Sequence, residues 1–230
     1  MDGNGRWATR RGLSRVQGHR RGKESVRAIV EKAREIGIEY LTLYAFSSEN
    51  WQRPEREVNA LMQLLRRYLK SEVAKMMRYG IRLRAIGNLR KLPAQVASEL
   101  REVERKTARN DRMTVLLAVS YGAREEIAAA ARKLARQVRD GTIAPEDIDE
   151  ERFASALATA GIPDPDLLIR TSGEVRLSNF LLWQLAYTEL IVTETLWPDF
   201  REKELLAAIE EYQRRQRRFG KTTEQVASEG

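Results

Sequence analysis

At 230 residues with 42% hydrophobic content, the chain is long enough to bury a substantial core as one domain. The absence of cysteine excludes disulfides and thiol catalysis and suits a cytoplasmic protein; no apolar run nears the roughly 20 residues that span a bilayer, and the polar, basic start does not read as a signal peptide. A net charge of +8 favours anionic partners (phosphates, nucleic acid or acidic lipid headgroups) without choosing among them.

The chain opens on Met1-Asp-Gly-Asn-Gly-Arg-Trp7. Glycine lets backbone N–H groups approach a ligand, and successive N–H groups in a turn form an anion-binding nest. Arg6 offers a planar fork for phosphate oxygens, and Asp2 could recruit a divalent metal to them. Val26, Ile29, Val30 and Ala33 have helical spacing, and Gly37 can end that helix. Residues 40–46 read as a buried strand. Pro54 suits the first turn of a long helix whose stripe runs through Val58, Leu61, Met62, Leu65, Leu69, Val73 and Met76, closed by Gly80. A strand over 81–86, a helix over 93–107, a strand over 113–119 and a helix from about 123 to 138 follow. A strand at 167–170, a helix at 180–187 and a strand at 190–193 come next. Leu205, Ile209, Tyr212 and Phe219 share one face of a closing helix, and residues 221–230 read as a polar tail.

No internal repeat or linker divides residues 1–220. Strands alternating with helices predict an α/β fold with a central parallel sheet flanked by helices. Ligands in such sheets gather outside the carboxyl ends of the strands, where the loops 47–53, 120–124 and 171–179 fall.

Those loops carry the remaining chemistry. Ser47-Ser48-Glu49-Asn50-Trp51, then Arg53, combines hydroxyls, an acid, an amide and a cation; its plainer reading makes the serines backbone caps and Trp51 a packing residue. Arg170, Arg176 and Ser178 can grip a second diphosphate, while Glu174 between the arginines could simply neutralise them. The only histidine, His19, sits among Arg15, Gly18, Arg20 and Arg21, where close cations favour its neutral form. Arg10, Arg11, Arg20 and Arg21 read as solvated surface, and the acids at 146–151 as an exposed helix start.

Taken together, DGNGR, GHRRG, SSENWQRPE and IRTSGEVRLSN, in this order, resemble the cis-prenyltransferases of the undecaprenyl diphosphate synthase type, from Met1 to about Gly220. The resemblance implies a homodimeric, Mg²⁺-dependent enzyme that adds isopentenyl diphosphate repeatedly to an allylic diphosphate, with an apolar product tunnel behind the diphosphates. It makes Asp2 the acid acting through Mg²⁺, with Gly3, Asn4, Gly5, Arg6, Trp7, Arg15 and His19 around the allylic diphosphate. Asn50 assists proton removal; an amide is a poor base, so its part is to orient, with the departing diphosphate as a possible acceptor. Ser47, Ser48, Glu49, Trp51 and Arg53 position substrate. Arg170, Arg176, Leu177 and Ser178 hold isopentenyl diphosphate, and Glu189 completes the metal environment across a dimer interface. Arg218 and Gly220 match an element reaching toward the partner's site. Ala45 leaves the tunnel throat open, and Met113 and Val119 help set its depth.

Three departures from the family pattern stand out. Ala123 replaces a glycine, and Val175 excludes any metal role at that position. The family has an apolar strand just before DGNGR that is missing ahead of Met1, so the expectation is a natural start upstream and a turn that frays without its anchor. No DDxxD motif of the trans-type synthases occurs. Two competing readings are a non-catalytic partner subunit, which would not need Asp2, Asn50 and the Arg170–Ser178 cluster, and a nucleic-acid-binding protein, disfavoured by 7% aromatics and basic residues interleaved with acids. Nucleic acid is therefore not expected as a partner, whereas transient membrane contact is compatible with release of a polyprenyl product.

Overall fold

In the computed structural model, which describes residues 1–215, the most buried strand is β3 (Met113–Tyr121). Its side chains alternate between two cores. Met113, Val115, Leu117 and Val119 enter one, and Leu116, Ala118 and Tyr121 the other, the period-two pattern of a strand covered on both faces. β1 (Tyr40–Ser47) and β2 (Ile81–Ile86) flank it in parallel, in the order β1–β3–β2. β4 (Leu167–Thr171) and β5 (Glu189–Thr193) form a separate parallel pair. The expected single sheet is thus two parallel sheets among the described residues, and side chains of β1 and β4 both line the space between them.

The helices are α1 (Asn4–Thr9), α2 (Arg15–Glu35), α3 (Glu55–Tyr79), α4 (Ala94–Thr107), α5 (Ala123–Arg139), α6 (Glu150–Ala154) and α7 (Glu202–Gln213). α2, α3 and α4 bury Ile29, Ala33, Val58, Met62, Leu69, Met76, Val96 and Leu100 in the first core. Gly80, in the left-handed conformation, caps α3 as expected. Pro54 stands one residue outside α3, as its N-cap. At α6, Asp149 accepts from the Arg152 N–H at 2.7 Å, so the acidic run is a capped helix start. No helix among the described residues is long and apolar enough to cross a membrane. Phe219, Arg218, Gly220 and the 221–230 tail lie outside the described residues.

Two expectations are corrected, and the turn expected at the opening motif leads directly into α1. The motif does not fray. The Asp2 N–H donates to Thr171 Oγ1 at 2.8 Å, and the Asp2 carbonyl accepts from the Thr171 hydroxyl at 2.8 Å and from the Trp197 N–H at 2.9 Å. The helix expected over 180–187 is a chain of turns, because Ser178, Asn179 and Leu181 adopt positive φ angles of 51°, 59° and 44°. Packing decides it: Phe180 stacks on Tyr44 at 4.4 Å and meets Tyr121 edge-on, which apolar spacing alone does not reveal.

α2 carries small residues where α1 and the segment around Trp197 approach. A Cβ on Gly18 would lie 2.0 Å from the Asn4 carbonyl oxygen. Ser25 Oγ donates to the Trp197 carbonyl at 2.7 Å, and Trp197 Nε1 donates to the Gly22 carbonyl at 3.0 Å. This contact seats the opening motif. Gly18→Ala raises helix propensity by about 1 kcal/mol, but overpacking against backbone costs about 1–3 kcal/mol, so a net loss is expected. A lower urea midpoint at unchanged m-value would show it; an unchanged or higher midpoint would mean that α1 and α2 are not closely packed in solution.

Candidate active site

The three loops meet where Asn179 joins them. Its Nδ2 donates to Glu49 Oε1 at 2.8 Å, its Oδ1 accepts from the Arg124 N–H at 2.9 Å, and its carbonyl accepts from the Ala123 N–H at 2.9 Å. Asn179 therefore ties the segments after β1, β3 and β4 to one another. Beside it opens a cavity of about 1200 Å³. Asp2, Gly3, Asn4, Gly5, Arg6, Arg15, His19, Ser47, Glu49, Asn50, Arg53, Arg170, Arg176, Leu177 and Ser178, all expected at the site, line it.

Charge at the mouth is organised by shared carboxylates. Glu174 lies 2.9 Å from Arg6 Nη2 through Oε1 and pairs with Arg176 through Oε2. Arg6 also donates to the Ser172 carbonyl, at 3.1 Å, and to its hydroxyl. Guanidiniums from the two expected diphosphate sites thus converge on one acid, and the neutralising reading of Glu174 holds in the absence of ligand. Glu57 does the same between Arg15, at 3.3 Å, and Arg53, at 3.1 Å. Arg170, whose side chain is 12% exposed, spans Asp2 Oδ2 at 3.2 Å and Ser178 Oγ at 3.0 Å.

Asp2 Oδ1 accepts from the Gly3 N–H at 2.8 Å. Burial opposes ionisation of Asp2, but that N–H and the Arg170 guanidinium outweigh it and hold the carboxyl below its ordinary value. Glu49 is likewise lowered: burial works against the charge, and hydrogen bonds from Asn179, its own N–H, Ser47 and Ser48 prevail. His19 is pushed down to about 4, first by burial and then by Arg53 and Arg15, with Glu57 opposing. It is neutral at neutral pH. Asn50 Oδ1 accepts from the Ser47 N–H at 3.1 Å, which fixes the amide at the cavity wall.

Several expected residues stand behind the cavity wall. Trp51 donates from Nε1 to Ser120 Oγ at 2.9 Å and packs edge-on against Phe46, 5.0 Å between centroids, which is its plainer reading. Ser48 lies against Gly122. Trp7 donates to Asp199 Oδ1 at 2.7 Å beneath the Arg11 guanidinium. Met113 and Val119, expected to help set the depth of an apolar slot, are sealed in the first core and do not line the cavity; Ala45 does line it. Glu189 pairs with Arg215 at 2.8 Å and lies opposite Leu167 at the start of the β4–β5 pair, whereas Asp2 is tied to Thr171 at its end. That separates the two acids by roughly 13 Å of strand. Accordingly, no group of three or more metal-binding side chains occurs among the described residues.

Sequence reasoning missed Glu57 and Asn179. Glu57 follows Arg53 at i+4, a helix pairing signal, though nothing local indicates that Arg15 shares it. Asn179 carried no signal beyond its loop position.

Residues 1–220 match the prenyltransferase family described as undecaprenyl diphosphate synthase. An isoprenyl transferase of Rhizobium meliloti is 54% identical over 230 residues, covering all of this chain and 93% of the relative. A ditrans,polycis-undecaprenyl-diphosphate synthase of Pseudomonas aeruginosa, (2E,6E)-farnesyl-diphosphate specific, is 50% identical, covering 100% of this chain and 91% of the relative. Among solved structures, lavandulyl diphosphate synthase from Lavandula x intermedia in complex with dimethylallyl diphosphate superposes with a TM-score of 0.94 at 41% identity, covering 96% of this chain and 95% of that one.

The His19 environment has a measurable sign. Between its ordinary value of 6.5 and about 4, the unfolded chain binds a proton that the folded chain refuses, so stability falls as pH drops through that window. Urea midpoints should fall less between about pH 7 and pH 5 for His19→Gln than for the unaltered chain. Equal losses would show that His19 protonates freely in the fold.

Proposed function

Because the chain belongs to the undecaprenyl diphosphate synthase family of prenyltransferases, we propose that it condenses isopentenyl diphosphate sequentially onto an allylic diphosphate. The proposed starter is farnesyl diphosphate and the product a cis-polyprenyl diphosphate of undecaprenyl length, made in the cytoplasm as a cell-wall lipid-carrier precursor. The observation that carries this reading is the convergence of Arg6 and Arg176 on Glu174 at the mouth of a cavity with apolar walls. Two diphosphates bound there would lie side by side, each competing for a guanidinium that the carboxylate now occupies.

In this reading Arg6, Arg15 and Arg53 hold the allylic diphosphate, and neutral His19 adds a hydrogen bond without adding charge. Arg170, Arg176 and Ser178 hold isopentenyl diphosphate and fix its alkene against the starter. When the starter ionises, positive charge forms on its terminal carbon and the guanidiniums stabilise the departing diphosphate. Asn50 orients the group that loses the proton, and the departing diphosphate accepts it.

Asp2 fits a divalent cation. It is ionised, half-buried at the cavity mouth and beside the proposed diphosphate, in keeping with Mg²⁺ held by one or two carboxylates plus substrate phosphates. Mg²⁺ would be held by Asp2 and by Glu189 of the partner subunit in a homodimer, and when bound it supplies charge stabilisation at the leaving diphosphate. The distance between Asp2 and the same chain's Glu189 is what favours a second subunit. Transient contact with a membrane would release the product.

Chromatography of products from farnesyl and isopentenyl diphosphates with Mg²⁺ tests activity and length together. Asp2→Asn should lower turnover by about 10²–10³-fold while the chain still unfolds cooperatively, with a lower urea midpoint because Arg170 loses its carboxylate partner. Near-normal turnover would remove Asp2 from the reaction. Failure of the unaltered chain to incorporate labelled isopentenyl diphosphate would favour a non-catalytic partner subunit.

A further inference from the structure

The cavity continues from its charged mouth to an apolar end between α2 and α3. Val26 and Ile29 of α2 and Leu61, Leu65 and Tyr68 of α3 line that end. Tyr68 lies 13 positions after Glu55, the first residue of α3, and so roughly 20 Å along the helix from the loop that carries Asn50 and Arg53. Beyond Tyr68 is a second, smaller cavity of about 40 Å³, walled by Leu69, Met76, Ile81, Leu83 and Val115. The two cavities share Val26, Leu43, Tyr68 and Leu117. Tyr68 is the largest of these and the only one with a polar tip.

That tip faces a charged rim. The Tyr68 hydroxyl lies within the electrostatic reach of Glu72, Arg27 and Glu31. Arg27 Nε donates to Glu72 Oε1 at 2.8 Å, and Lys75 pairs with Glu31 at 3.0 Å, so α2 and α3 are clamped together around the ring. Glu72 is 5% exposed, so this clamp is a fixed feature of the helix pair. A tyrosine suits such a place, with its ring in apolar surroundings and its hydroxyl toward charge. With Met113 and Val119 sealed in the core, neither limits the large cavity.

We propose that Tyr68 is the specificity-determining residue that stops product growth: its ring is the partition between the main cavity and the space beyond, and a growing apolar chain ends against it. The assignment rests on the prenyltransferase reading above. Removing the ring joins the two cavities and lets the chain extend toward β2 and the start of β3, while the diphosphate contacts at the mouth are untouched.

The test is product-length analysis with farnesyl and isopentenyl diphosphates for the unaltered chain, Tyr68→Ala, Tyr68→Val, Tyr68→Phe and Tyr68→Trp, each first checked for a cooperative unfolding transition. Tyr68→Ala and Tyr68→Val should move the product maximum up by at least one isoprene unit. Tyr68→Trp should move it down, and Tyr68→Phe should leave it in place, because the ring and not the hydroxyl is the stop. The rate of the first condensation should stay within about threefold throughout, a split that a general packing defect would not produce. An active unaltered chain whose folded Ala and Val variants keep the same product maximum overturns the role of Tyr68 alone. Absence of condensation by the unaltered chain and every variant overturns the prenyltransferase reading, and this assignment with it.

Discussion

Crowding guanidiniums into one cleft is the constraint on which the rest of the site depends. Arg6, Arg15, Arg53, Arg170 and Arg176 face a single cavity, and each is held by a carboxylate: Glu174 holds two, Glu57 two and Asp2 one. Arg170, 12% exposed, needs its carboxylate most; the others keep water at their guanidiniums, and for them the acids chiefly reduce mutual repulsion and fix direction. They also set its response. A diphosphate offers more oxygens and more negative charge than a carboxylate, so it can displace Glu174 from both partners without the guanidiniums having to move far. The donors are oriented in advance, which is the arrangement that lowers the cost of meeting charge developed during reaction.

The apolar half of the cavity answers a different demand. β3 contributes Leu116 and Leu117 to the wall, and further apolar lining comes from the edge strands β1 and β4 and from the α2–α3 pair. Along β1, Leu43 and Phe46 are buried while Ala45 is exposed and lines the cavity beside the Ser47 loop. A slot with a charged mouth and an apolar, finite interior follows from these placements.

Most of the architecture was legible because it rests on periodicity. The apolar stripe of α3, the alternation of β2 and the continuous burial of β3 follow from the sequence, with boundaries shifted by one or two residues. Opposition of Arg6 and Arg176 was legible only as two motifs on one expected sheet edge. What was not legible depends on contacts between distant segments: Glu57 serving Arg15, Asn179 joining three loops, and Gly18 admitting the Asn4 carbonyl. Met113 and Val119 share a face of β3 with Leu117, which does line the cavity; alternation gives the face but not how far along the strand the cavity reaches. The turn at 180–187 shows the same limit, since apolar spacing there is served by aromatic packing rather than by a helix.

The backbone at this edge carries the cost of the arrangement. The non-glycine residues with positive φ among the described residues are Ser120, Ser172, Ser178, Asn179 and Leu181, in or next to the loops after β3 and β4. Such conformations cost about 1–3 kcal/mol each and persist only where surroundings over-determine them. Four have hydrogen bonds that do so: Ser120 accepts from Trp51, Ser172 accepts twice from Arg6, Ser178 accepts from Arg170, and Asn179 bonds to Glu49, Ala123 and Arg124. Two of these partners are the guanidiniums of the site itself. Strain in the loops and orientation of the cations are therefore one set of bonds. A regular helix over 180–187 would have relieved the backbone at Leu181, but it would have moved Asn179 and Ser178 out of reach of the loops and the arginine they hold.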